Sequence, residues 1–118
     1  MNLAILLFFL LTLYPDPGQC QPCLTARVTA TAYCLTGKTT SGVRTFPGCI
    51  ALSRDLAKDL NAKFGDVVEV EGLGRFVFAD LMPPKWRLRV DIYYPTLRQC
   101  RVFGVKKLQI RVIKKRQR

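Results

Sequence analysis

Apolar and polar residues follow one another along this chain in short runs of strand length. Residues 27–33 (RVTATAY) alternate with period two and are rich in β-branched side chains, as a half-buried strand requires. Residues 49–52, 67–70, 75–79, 89–93 and 108–113 read as five further short strands. Turn signals separate them: Gly65-Asp66, the tight turn at 72–74, and Pro83-Pro84, which bars regular structure from 81–88. Residues 35–48 are polar, contain Gly37, Gly42, Pro47 and Gly48, and read as one long loop. Two short helices complete the pattern. Ser53 stands as an N-cap before residues 54–60, with Leu56 and Leu60 on one face, and Thr96 caps a second helix that runs through Phe103 and stops at Gly104.

Six short strands with two small helices, no internal repeat and no linker predict a single all-β domain. A small closed or nearly closed barrel is the economical architecture, because closure removes exposed strand edges.

The N-terminal stretch reads differently. Residues 3–14 are almost unbroken apolar sequence, followed by Pro15-Asp16-Pro17-Gly18. Such a run is shorter than the roughly 20 residues that cross a bilayer as a helix and suits the apolar segment of a secretory signal. Residues 1–19 are therefore expected to be a signal peptide and residues 24–115 the barrel. A retained anchor, a lipoprotein built on Cys20, or a buried helix of the fold are the alternatives. An exported chain tolerates disulfides. Cys23, Cys34, Cys49 and Cys100 allow three pairings. Cys34 with Cys49 is the preferred pair because both flank one loop, and its closure would stabilise the domain by about 3 kcal/mol.

Charge and composition narrow the chemistry. Lys and Arg total 19 against 8 acidic residues, a formal net charge of +11, and the chain ends in Lys114-Lys115-Arg116-Gln117-Arg118. Such a field collects polyanions. For an exported protein, anionic wall polymers or a membrane surface fit the basic C-terminus, and nucleic acid is disfavoured; a merely solvated tail is the plain alternative. The chain contains no histidine, and its cysteine spacing is not that of a zinc site, so neither a metal nor another cofactor is expected. Ser41 lacks a histidine to activate it, which argues against serine nucleophile chemistry.

Alternation places two aspartates of interest. In residues 89–93, Val90 and Ile92 share one face while Arg89, Asp91 and Tyr93 share the other. If Val90 and Ile92 enter the core, Asp91 faces solvent or a groove, where it could transfer a proton to a sugar oxygen or simply pair with Arg89 or Arg87. Phe76, Phe78 and Asp80 share a face by the same rule, so Asp80 sits where an apolar strand ends.

Several stretches occur in the order seen in a known family: Val28-Thr29-Ala30-Thr31-Ala32-Tyr33, Thr40-Ser41-Gly42, Pro47-Gly48-Cys49-Ile50-Ala51-Leu52-Ser53, Phe64-Gly65-Asp66-Val67-Val68, and Ala79-Asp80 through Arg89-Val90-Asp91-Ile92-Tyr93-Tyr94-Pro95. Together they cover nearly everything after residue 26. The chain resembles the three-aspartate (3D) domain family, related to the catalytic barrel of membrane-bound lytic transglycosylase A. The resemblance implies a six-stranded double-psi β-barrel acting on peptidoglycan, with Asp91 as catalytic acid/base and Asp80 as its partner. It implies non-hydrolytic cleavage between N-acetylmuramic acid and N-acetylglucosamine; a non-catalytic glycan-binding or wall-loosening barrel is the alternative. Asp80 would raise the pKa of Asp91, and Arg87 and Arg89 would oppose it. By analogy Tyr33, Thr31, Thr40, Ser41 and Arg89 line the groove, with packed core as the alternative for the strand residue Tyr33. Trp86 either stacks on sugar or plugs the barrel end. Two departures stand out. Leu81-Met82-Pro83-Pro84 replaces the two glycines common after the family's second aspartate. Ser53 follows Leu52 where the first aspartate is usual, and Asp55 either stands in for it or is a first-turn helix acid.

Overall fold

The computed structural model describes residues 24–114, which form β1 (Leu24–Tyr33), β2 (Cys49–Leu52), α1 (Arg54–Asp59), β3 (Val67–Val70), β4 (Gly74–Leu81), β5 (Arg89–Tyr93), α2 (Leu97–Phe103) and β6 (Lys106–Ile113). The expected signal peptide, Cys20, Cys23 and residues 115–118 lie outside the described residues. The strands close into a barrel in the order β1-β5-β2-β4-β3-β6. Pairs β1/β5 and β2/β4 are parallel and the other four are antiparallel. This order is unchanged when β1, β2 and β3 are exchanged for β4, β5 and β6, so the two chain halves are related by a pseudo-two-fold that passes between β2 and β5.

The period-two pattern explains the closure. Val90 and Ile92 of β5, Ile50 and Leu52 of β2, and Val68 and Ile110 opposite them are all fully buried inside the barrel. Each such aliphatic side chain contributes about 1.5–3 kcal/mol on burial. Leu56 and Leu60 from α1 and its C-terminal cap join this core, as does Phe103 from α2. A second, smaller cluster lies on the outer face of the sheet: Cys49, Ala79 and Tyr93, with Tyr33 and Phe46 packed on them.

The helix ends show how local signals are spent. Thr96 and Gln99 form a reciprocal capping box on α2, and Gly104 leaves the helix at φ 66°. Ser53 sits at the N-cap of α1, but its hydroxyl makes no capping bond. It accepts instead from the backbone N–H of Arg89 at 3.1 Å, while its own N–H donates to the Arg89 carbonyl at 2.9 Å. Ser53 therefore clasps the start of β5.

Three expectations are corrected. Leu81 belongs to β4 and Lys106 and Lys107 to β6, because ladder pairing with β2 and β1 carries each strand past its apolar pattern. Asp80 does not share the inward face of Phe78: the β2/β4 register shifts between Ile50 and Ala51, so Ile50 pairs with Phe78 but Ala51 pairs with Asp80. That bulge turns Asp80 outward. Finally, Cys34 and Cys49 are not bonded. Cys49 is wholly buried with its sulfur 3.7 Å from the Tyr33 hydroxyl, whereas Cys34 lies beside Cys100 of α2.

Candidate functional site

Register builds the site. Thr31 pairs with Asp91, Asp91 with Ala51, and Ala51 with Asp80, so one row of side chains crosses β1, β5, β2 and β4 on the outer face. Asp91 and Ala51 straddle the pseudo-two-fold, with Thr31 and Asp80 as outer counterparts. Two strand spacings separate the aspartate backbones, about 10 Å, with the small, buried Ala51 between them.

Asp91 is half-buried. Thr31 Oγ1 donates to its Oδ1 at 3.1 Å. Burial pushes its carboxyl up to about 6; the Thr31 hydrogen bond and the charge of Arg89 pull the other way, and Asp80 adds to the rise. Burial therefore decides the balance between carboxylate repulsion and arginine attraction. Among the described residues the ion pairs join Arg75 and Arg111 to Glu69 and Lys114 to Asp66, and neither Asp80 nor Asp91 takes part. Arg89 is drawn aside, its guanidinium stacked 4.2 Å from the Trp86 ring centroid. The reading of Asp91 as an arginine-paired surface acid is thereby set aside.

Asp80 is held differently. Its Oδ1 accepts from the Thr40 N–H and the Leu81 N–H, each at 2.9 Å, and from the Thr40 hydroxyl. Thr40 is carried by the loop between β1 and β2. That loop is folded on itself by the Lys38–Arg44 bridge and the Thr39–Ser41 hydroxyl contact of 2.8 Å, and the Ser41 N–H anchors it to the Ala79 carbonyl. The Ser41 hydroxyl is thus spent within the loop. With its Oδ1 saturated, Asp80 is suited to fixing the loop and shaping the local field.

Tyr33 lies two residues beyond Thr31 on β1, in the neighbouring row, where it pairs with Tyr93. Its ring meets Tyr93 edge-on at 5.6 Å. Burial, the Cys49 contact and the charges of Asp80 and Asp91 all push its hydroxyl far above the ordinary tyrosine value, so it stays a neutral phenol in the field of both carboxyls. Trp86 is half-buried, with Lys85 5.0 Å from its ring as well as Arg89, and it is outside the core cluster.

Asp55 stands apart from the row. It accepts from the Leu88 N–H at 3.0 Å, and Leu88 has φ 48°. Burial raises its carboxyl, but hydrogen bonds from Ser53, Leu88 and Leu56 outweigh that and hold it below the usual range. It pins the 82–88 loop. A groove of about 380 Å³ opens on the Asp80 side, lined by Ser41, Val43, Phe46, Phe64, Val77 and Ala79 among others. Of the residues the sequence pointed to, Asp91, Asp80, Thr31, Tyr33 and Thr40 come together, Arg89 and Trp86 flank them, and Asp55 does not join. Ala51, Tyr93 and Phe46 were not singled out as site residues. The shared face of Asp91 and Tyr93 was the one available signal.

No protein-family model matches this chain, and no curated protein matches its sequence. Among solved structures, an apo expansin from Clavibacter michiganensis aligns with a TM-score of 0.58 at 19% identity, over 80% of this chain and 53% of the expansin. This is a double-psi β-barrel. A computationally designed protein, msDPBB_sym2, aligns with a TM-score of 0.42 at 17% identity, over 76% of this chain and all of its own. The double-psi barrel here spans about half the length of the expansin it resembles. No helix among the described residues is long and apolar enough to cross a membrane.

Proposed function

We propose that this double-psi barrel is an exported protein that acts on cell-wall glycan, and that Asp91 is the acid/base for cleavage of peptidoglycan strands. The observation that carries the reading is the setting of Asp91: half-buried, hydrogen-bonded by Thr31, free of any arginine ion pair and level with Asp80 across Ala51. The ordered resemblance to three-aspartate domains supports the substrate class. Asp91 donates its proton to the oxygen linking N-acetylmuramic acid to N-acetylglucosamine as that C–O bond breaks. The resulting carboxylate then takes the proton of the muramyl 6-hydroxyl while O6 bonds to C1 and closes an anhydro ring. One carboxyl serves both steps, unlike the paired acids of most glycosidases. That economy suits a site in which the other aspartate is engaged by Thr40 and Leu81.

In this reading Tyr33, Thr31 and Thr40 contact the glycan beside Asp91, and the Arg89–Trp86 stack supplies a cationic flank. The basic surface draws the barrel to anionic wall polymers or a membrane surface, an attraction that salt weakens. A second reading, a glycan-binding or loosening barrel without turnover, is favoured by the likeness to an expansin and by Pro83-Pro84 where the related family has glycines. Incubation with purified peptidoglycan separates the two. Anhydro-muropeptides in the mass spectrum, absent with Asp91→Asn, support the enzyme; saturable binding with no released product leaves the binder.

A further inference from the structure

Cys34 and Cys100 meet at the root of the loop that carries Thr40. Cys34 follows the last residue of β1, and the Tyr33 carbonyl accepts the Tyr94 N–H at 2.9 Å. That bond holds the segment entering α2 against the end of β1, and the Cys100 thiol, one turn into α2, interacts with the Cys34 thiol. Both side chains are half-buried, accessible to a small reagent. The third described cysteine, Cys49, is sealed beneath Tyr33 and has no such access.

We infer that Cys34 and Cys100 are an oxidation site, joined as a disulfide that ties α2 to the end of β1 and steadies the 35–48 loop. The chemistry needs an oxidant of the disulfide class, such as glutathione disulfide. One cysteine thiolate attacks it and releases one equivalent of thiol, leaving a mixed disulfide. The other thiolate then displaces the second equivalent. Two protons and two electrons leave the cysteines, and the oxidant is reduced to two thiols. Closing so long a stretch of chain restricts the unfolded state more than a short bridge would. The loop begins at Cys34 and reaches Asp80 through Thr40, so the bond also restrains one arm of the clamp on Asp80.

The test treats the full chain with glutathione disulfide or with dithiothreitol and maps the peptides without reduction. The expected result is a Cys34–Cys100 linked peptide and a melting midpoint raised by on the order of 10 °C. Slower hydrogen exchange at the Thr40 amide should accompany it. Dithiothreitol should reverse all three, and Cys100→Ser should abolish them. Thiols that both remain open to alkylation, a bridge from either cysteine to Cys23, or a bridge that leaves the melting midpoint unchanged would each overturn the inference. The wild-type map decides the pairing even if the variant folds poorly.

Discussion

Asp91 should weaken the fold that presents it, and replacing it with asparagine should separate stability from function. In the folded barrel its carboxyl is raised from 3.8 to about 6, with burial the main cause. A raised folded-state value means that the folded protein prefers the protonated form. The associated stability is fully present below the unfolded value, near pH 4, and is lost as pH rises through about 6. Carried in full, that displacement corresponds to about 3 kcal/mol. Asp91 is only half-buried, so solvent screening reduces the expected effect to about 1–2 kcal/mol. Asparagine keeps an acceptor for the Thr31 hydroxyl and carries no charge. Asp91→Asn should therefore be more stable than wild type by about 1–2 kcal/mol above pH 7, with the difference vanishing near pH 4. Urea unfolding of both proteins at several pH values measures it, while the same variant loses glycan cleavage. A stability difference that is constant with pH, or a variant less stable at pH 7.5, would refute burial as the cause.

Three further outcomes follow from the same geometry. Thr31→Val removes a hydrogen bond that lowers Asp91, so the carboxyl should rise by about one pH unit and the alkaline limb of the activity profile should move up with it. Trp86→Ala frees Arg89 from its stack; the guanidinium can then approach Asp91, the alkaline limb should move down, and activity near neutral pH should fall several-fold. Leu88→Gly relieves a left-handed backbone at an exposed position and should raise stability by about 0.5–1 kcal/mol in thermal unfolding.

Strands β2, β3 and β5 and the capped α2 were legible because each signal is local: alternation, turn residues or a capping pair. The outward face of Asp91 followed from Val90 and Ile92 for the same reason. Asp80 was misread because its direction depends on the bulge opposite Ile50 and Ala51, and period-two counting along one strand cannot register an extra residue in a pair. The Thr40–Asp80 clamp joins residues 40 positions apart, and only the folded loop brings them together. Ser53 carried the right signal for the wrong donor: its position marks the helix start, but its hydroxyl serves β5. The preferred cysteine pair failed similarly, since flanking one loop does not fix where the sulfurs go: Cys49 packs against Tyr33, and Cys34 lies beside Cys100.

The claim beneath all of this is that the protein keeps Asp91 able to hold a proton at mildly acidic pH. Carbon-13 NMR titration of the Asp91 carboxyl in the full chain reads that property directly. The midpoint should lie near 6 and fall when Asp80→Asn removes the neighbouring charge. An Asp91 midpoint near 4 in the wild-type barrel would contradict the account.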